Sequence, residues 1–175
     1  VTANFGTIVG GSGNFGGTFS FIGGGAGHTA LYYSVVSGGK NNNCSSFYSV
    51  ISGGVNNVIS STNFATFSAI SGGQQNTIGS YTRNSFIGAG YSNNIIGSII
   101  NNTNYCAIVH GNQNSIYNCE DAFIGGGSSN TISTSSRGSV IVGGNSNYIL
   151  NSGNAPNAIN YTSNYSTIGG GQDNG

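Results

Sequence analysis

The segment "FSAISGGQQNTI", Phe67 to Ile78, places a small residue and an isoleucine ahead of a Gly-Gly pair, then an asparagine and a second isoleucine behind it. Aligned on Ile70, the same order recurs at Ile8, Ile22, Val36, Ile51, Ile87, Ile108, Ile124, Ile141 and Ile168, so nine of the ten anchors are isoleucine. Three residues after each anchor stands glycine without exception: Gly11, Gly25, Gly39, Gly54, Gly73, Gly90, Gly111, Gly127, Gly144 and Gly171. Three further on is asparagine in nine copies, Asn14, Asn42, Asn57, Asn76, Asn93, Asn114, Asn130, Asn147 and Asn174, with His28 as the exception. Two beyond that come Ile59, Ile78, Ile95, Ile116, Ile132 and Ile149, whereas the first three copies put Gly16, Ala30 and Cys44 there.

The anchors are 14, 14, 15, 19, 17, 21, 16, 17 and 27 residues apart, yet the motif keeps its internal spacing. All length variation therefore falls between the second isoleucine and the next aromatic residue. A solenoid accepts insertions in this way, each coil preserving its strands while extra residues leave as loops on one edge. A helical repeat is excluded, because β-branched residues flanked by a double glycine would break helix in every copy. Each coil reads as strand, Gly-Gly turn, strand, loop, and the glycines suit left-handed or crowded backbone that other residues enter only at a steric cost. The expected fold is all-β: a parallel β-solenoid, or β-roll, of about ten coils. It forms a single repeat domain over residues 1–175, uncapped at both ends. The asparagine column is expected to stack as an amide ladder. At about 4.8 Å per coil the rod would be roughly 48 Å long.

Composition narrows the function. Only six of 175 residues are formally charged, three of each sign, while glycine supplies 32. Zero net charge removes the electrostatic basis for binding nucleic acid or an anionic membrane. No apolar run approaches the roughly 20 residues of a membrane span. Regular periodicity separates this glycine-rich chain from low-complexity disorder.

Two residues before each anchor sits a small residue: Gly6, Ser20, Ser34, Ser49, Ser68, Ser85, Cys106, Ala122, Ser139 or Ser166. Strand alternation puts it on the anchor's face, suiting a thin, tightly packed interior. By the same alternation the opposite face carries Phe5, Phe19, Tyr33, Tyr48, Phe67, Tyr105 and Tyr165, with Phe21, Val35, Val50, Phe86, Phe123 and Val140. The first sheet is thus apolar on both faces, and the pattern leaves open which one points inward. The second strand adds polar neighbours such as Asn43, Thr77, Ser115 and Thr131 to its inward Asn and Ile. An apolar strip of this length points to lateral packing on copies of the same chain, as a trimer or a bundle. The alternative is that corner aromatics cover their own loops.

Catalysis needs paired ionisable groups, and few are present. Glu120 and Asp121 are adjacent, which in an extended chain points them to opposite sides, and Asp173 stands alone. His28 replaces a ladder asparagine and His110 a turn glycine, so both read as tolerated variants. No His, Cys and carboxylate cluster has metal-ligand spacing, and "GGGAG" (23–27) precedes neither a helix nor the Lys-Ser/Thr of a phosphate loop. The expectation is no catalytic residue, no metal and no cofactor. Cys44 falls in a core slot as a small hydrophobe, and Cys106 with Cys119 is a candidate disulfide. Candidate glycosylation sequons begin at Asn43, Asn101, Asn160 and Asn164, the last three in or beside the longest insertions, 96–104 and 150–164.

The copies "YSVISGGVNNVI" (48–59), "FSAISGGQQNTI" (67–78) and "DAFIGGGSSNTI" (121–132) resemble the head repeats of YadA-like trimeric autotransporter adhesins. They also resemble the related repeats of phage and giant-virus tail-fibre proteins. The resemblance covers nearly the whole chain through a Ser-x-Ile-x-Gly-Gly-x-x-Asn pattern. It implies a left-handed parallel β-roll, three chains to a fibre, displayed outside the cell or virion and used for attachment. This chain departs from the adhesins in having adjacent apolar residues where they place an alanine between two, and in its uneven coil lengths.

Joining Gly175 to Val1 keeps the repeat in phase, with Ile168 and Ile8 then 15 residues apart, so end-to-end stacking is expected as well as lateral association. The leading expectation is a structural segment of an extracellular, cell-surface or virion-surface fibre. A second is an adhesin or tail-fibre segment binding a host-surface glycan or protein through loops 96–104 and 150–164. A third, ice binding, requires a regular Thr array, whereas only Thr7 and Thr167 share a column of the first strand.

Overall fold

The computed structural model describes residues 5–60, 66–98, 103–133, 136–150 and 165–174, and it is a parallel β-solenoid. All ten anchors lie in one sheet. Its strands are Thr7–Ile8, Phe21–Ile22, Val35–Val36, Val50–Ile51, Ala69–Ile70, Phe86–Ile87, Ala107–Ile108, Phe123–Ile124, Val140–Ile141 and Thr167–Ile168, each beside the next in that order. A second sheet of nine strands runs from Phe15–Gly16 to Tyr148–Leu150 and contains the second isoleucine of each coil that has one. Register places like on like: Ile51 opposite Ile70, Ile87 opposite Ile108 and Ile95 opposite Ile116. Eight of the ten strands in the first sheet have a neighbour on each side, so about eight turns are enclosed, slightly fewer than the ten expected.

A third line of pairing was not legible in the strand pattern. Four residues after each anchor, Ser12, Ala26, Lys40, Val55, Gln74, Tyr91, Asn112, Ser128, Asn145 and Gln172 bridge in parallel from coil to coil. The contact is one residue long, so it leaves no alternation to read. Each coil is therefore held along three lines, and insertion-side residues add a short extra pair, Thr82–Arg83 beside Thr103–Asn104.

Two corners shape every coil, and both are left-handed. One is the residue before the ladder asparagine, such as Gln75 (φ 58°) or Ser92 (φ 54°); the other is three residues before the anchor, such as Tyr33 (φ 60°) or Phe67 (φ 55°). The second corner corrects the expected face assignment. Strands in the first sheet are only two residues long, so the aromatic column from Phe5 to Tyr165 sits on the corner and not on the strand. A left-handed residue interrupts the alternation on which the assignment rested.

The inward face is the one bearing the small residue and the anchor. Ser68 and Ile70 are buried while Phe67 is exposed, and Ser34 and Val36 are buried while Tyr33 is exposed. The interior thus consists of two isoleucine columns flanked by one column of serine-sized residues and one of asparagine. Phenylalanine beside an anchor instead faces out and lies across the glycine two residues on. The ring edges of Phe21, Phe86 and Phe123 come within 3.4 Å of where a Cβ on Gly23, Gly88 and Gly125 would stand.

Only one glycine of the Gly-Gly pair is required by the backbone. At Gly73 (φ 84°) a Cβ would strike the carbonyl oxygen of Gly90 in the next coil and the Nδ2 of Asn76. At Gly72 a Cβ would meet nothing within 4 Å. This explains why Ala89 and His110 are accepted in the first slot, while the second is glycine in every copy.

Candidate functional site

The aromatic corner of the first five coils is the most distinctive surface. Phe5, Phe19, Tyr33, Tyr48 and Phe67 form a continuous stack, with successive ring centroids 5.2, 4.8, 5.1 and 5.1 Å apart. That spacing is the pitch of a parallel ladder, so the backbone itself sets the ring separation. Beside the stack, Tyr32 and Phe47 stack on each other at 4.8 Å, and Phe47 tilts against Tyr48 at 6.2 Å. All seven side chains are exposed. Because the rings lie face to face along the rod, their faces are occupied by one another and their edges point sideways. Flat stacking of a sugar ring on the column is thereby blocked along its length, whereas edge contact with another apolar surface is open. The column changes character after Phe67, where the corner is taken by Asn84, Tyr105, Asp121, Gly138 and Tyr165.

Behind this surface the interior is polar along two lines. Each ladder asparagine from Asn14 to Asn147 donates through Nδ2 to a carbonyl of its own turn and to a glycine carbonyl of the next coil. For Asn93 these are Ala89 at 3.1 Å and Gly111 at 2.9 Å. Its Oδ1 accepts the backbone N–H of Asn114 at 3.0 Å and the Nδ2 of Asn114 at 3.2 Å. Amide-to-amide bonds of this kind run from Asn57 through Asn76, Asn93, Asn114, Asn130 and Asn147 to Asn174. Asn42 and Asn14 bond to backbone, without an amide-to-amide link across His28. The small-residue column carries a second line that sequence reasoning took only as packing: Ser68, Ser85 and Cys106 donate their N–H groups to the hydroxyls of Ser49, Ser68 and Ser85.

His28 is fully buried and occupies the asparagine's place, with Nδ1 accepting the N–H of Asn42 at 3.1 Å. His110 is exposed, and its ring lies over Gly126 of the next coil, where a Cβ would collide with it. Glu120 and Asp121 do not point apart as expected for extended chain. Asp121 is itself a left-handed corner (φ 55°), and both carboxylates face Arg137, whose Nε lies 3.2 Å from Asp121 and 3.8 Å from Glu120. The hydrogen bond to Asp121 first, and then the two carboxylate charges, raise the guanidinium pKa further.

The three cysteines are buried and none is in a disulfide. Cys106 Sγ donates to the Cys119 carbonyl at 3.3 Å, and Cys119 Sγ to the Tyr117 carbonyl at 3.2 Å, so neither thiol is spent on a bridge. Burial pushes the Cys44 and Cys106 thiols up to about 12. Of the sequons, Asn43 lies in a strand of the second sheet and accepts the Ser45 hydroxyl at 2.7 Å. Asn101, Asn160 and Asn164, with most of loop 150–164, fall outside the described residues. Among the described residues no three His, Cys, Asp or Glu side chains gather to hold a metal, and no helix is long and apolar enough to cross a membrane.

No protein-family model matches the chain, and no curated protein matches it.

Proposed function

We propose that this solenoid is a structural segment of an extracellular, cell-surface or virion-surface fibre, assembling laterally and end to end and performing no catalysis. The observation that carries the reading is the aromatic corner: seven exposed rings on a chain with only six charged residues. A continuous stack of that kind, on a rod that also exposes Phe21, Phe86, Phe123 and Val142, belongs against another surface. Stability spread along the backbone, asparagine and serine ladders and the continuous isoleucine core suits an extended rod, since no one coil has to hold it. The likeness of its repeats to YadA-like heads and viral tail fibres belongs to the same proposal. Electron microscopy of negatively stained native material, with mass photometry on the same sample, tests it. Filaments or discrete bundles are expected; isolated single-chain rods at every concentration would remove the structural reading.

A second reading, attachment to a host glycan or protein through loops 96–104 and 150–164, draws support from the base of the first loop. There Thr103–Asn104 pairs in parallel with Thr82–Arg83, which anchors the returning chain to the preceding coil. Deleting residues 151–163 separates the two: a rod that assembles but no longer adheres to host cells assigns attachment to the loop.

A further inference from the structure

We propose that the aromatic corner of the first five coils docks a second copy of this chain lying antiparallel to the first. The inference rests on lateral assembly as read above and supplies its geometry.

The occupant follows from area and charge. With exposures between 40% and 77%, seven side chains of about 200 Å² each leave roughly 700 Å² open, close to the ~800 Å² that each partner contributes to a standard interface. Residues 1–82 carry one formally charged side chain, Lys40, and it sits on the third pairing line between Ala26 and Val55. A charged partner would find nothing to pair with there. A flat row of ring edges repeating every 4.8–5.2 Å is matched in period by another parallel solenoid, and this chain is one.

The orientation follows from what the corner becomes beyond Phe67. Side-by-side parallel rods would bring the Glu120, Asp121 and Arg137 group of one copy against the same group of the other. Like charges would then meet in a contact that desolvates them. A two-fold axis through Tyr33, perpendicular to the rod, instead sets Phe5 of one copy beside Phe67 of the other, because each is two coils from Tyr33. In a pair of single chains, before any end-to-end stacking, the charged coils then remain in water. The resulting contact is isologous and closes as a dimer.

The test uses the full chain in two forms, Phe5→Cys and Phe67→Cys, under mild oxidation; the native thiols are buried and do not compete. Sedimentation of the unmodified chain, at concentrations too low for end-to-end stacking, is expected to give two chain masses. A disulfide-linked dimer is expected from the mixture, at least tenfold more than from either variant alone. Self-linking of Phe67→Cys by itself overturns the antiparallel geometry while leaving lateral assembly standing. A dimer that neither links nor responds to a Tyr33→Ser, Tyr48→Ser double variant places the interface elsewhere and overturns the docking surface. A single chain mass at the highest soluble concentration overturns both this inference and the lateral reading.

Discussion

The imidazole of His28 replaces an amide in the interior ladder: its Nδ1 accepts the Asn42 N–H at 3.1 Å, as Asn42 Oδ1 accepts the Asn57 N–H at 2.9 Å. The substitution is incomplete. An asparagine there would also donate to two carbonyls, as Asn42 does to Gly38 and Gly54, both at 3.0 Å, whereas His28 Nε2 is buried without a partner. An unmet buried donor costs about 1–3 kcal/mol, so His28→Asn is expected to stabilise the rod by that order. Denaturant unfolding of the two chains checks it, and a variant of equal or lower stability would show that the imidazole packing outweighs the missing bonds.

Gly72 and Gly73 look equivalent in the sequence and are not. Gly73→Ala is expected to cost about 3 kcal/mol or more, because the new methyl meets backbone of the next coil at a left-handed residue. Gly72→Ala is expected within about 0.5 kcal/mol of the parent, since its Cβ points into open space. The difference in melting temperature between the two variants is the readout.

Tyr33 combines a left-handed backbone with rings stacked on both sides, Phe19 at 4.8 Å and Tyr48 at 5.1 Å. Tyr33→Ala loses both stacks, about 1 kcal/mol each, and keeps the backbone cost. Tyr33→Gly loses the stacks but relieves the left-handed strain, so it is expected to be about 1 kcal/mol more stable than the alanine variant. Thermal melts of the pair separate ring stacking from corner geometry; equal melts would mean that the corner carries no strain.

The thiols give the rod an alkaline limit. In the folded state burial pushes the Cys44 and Cys106 thiols up from an ordinary 9.0 to about 12. The folded chain therefore holds these protons where the unfolded chain has lost them. Stability is complete below pH 9 and declines as pH rises toward 12, by about 1.4 kcal/mol per pH unit for each thiol. Cys44→Ala, which copies Ala30 in the neighbouring coil, is expected to halve that slope. Slow alkylation by iodoacetamide at pH 8 in the folded state, and fast alkylation after denaturation, provides the independent check.

The sequence by itself determined the repeat, the two isoleucine columns, the inward asparagines and the segment that absorbs insertions. Each of these recurs at fixed offsets from Ile8 to Ile168, and recurrence is visible without coordinates. The aromatic column was equally visible, in seven of ten copies, yet its position was misread as a strand face. Alternation holds only while the chain stays extended, and a left-handed residue at Phe67 or Asp121 resets it. The tertiary structure alone decided that Ser68 and not Phe67 points inward, that Ser12 to Gln172 form a third line of pairing, and that Glu120 and Asp121 converge on Arg137. All three depend on how sharply each corner turns and on which residue the next coil sets beside it, 14 to 27 positions away along the chain. Those relations are fixed by backbone dihedrals and stacking register, which the order of side chains does not encode locally.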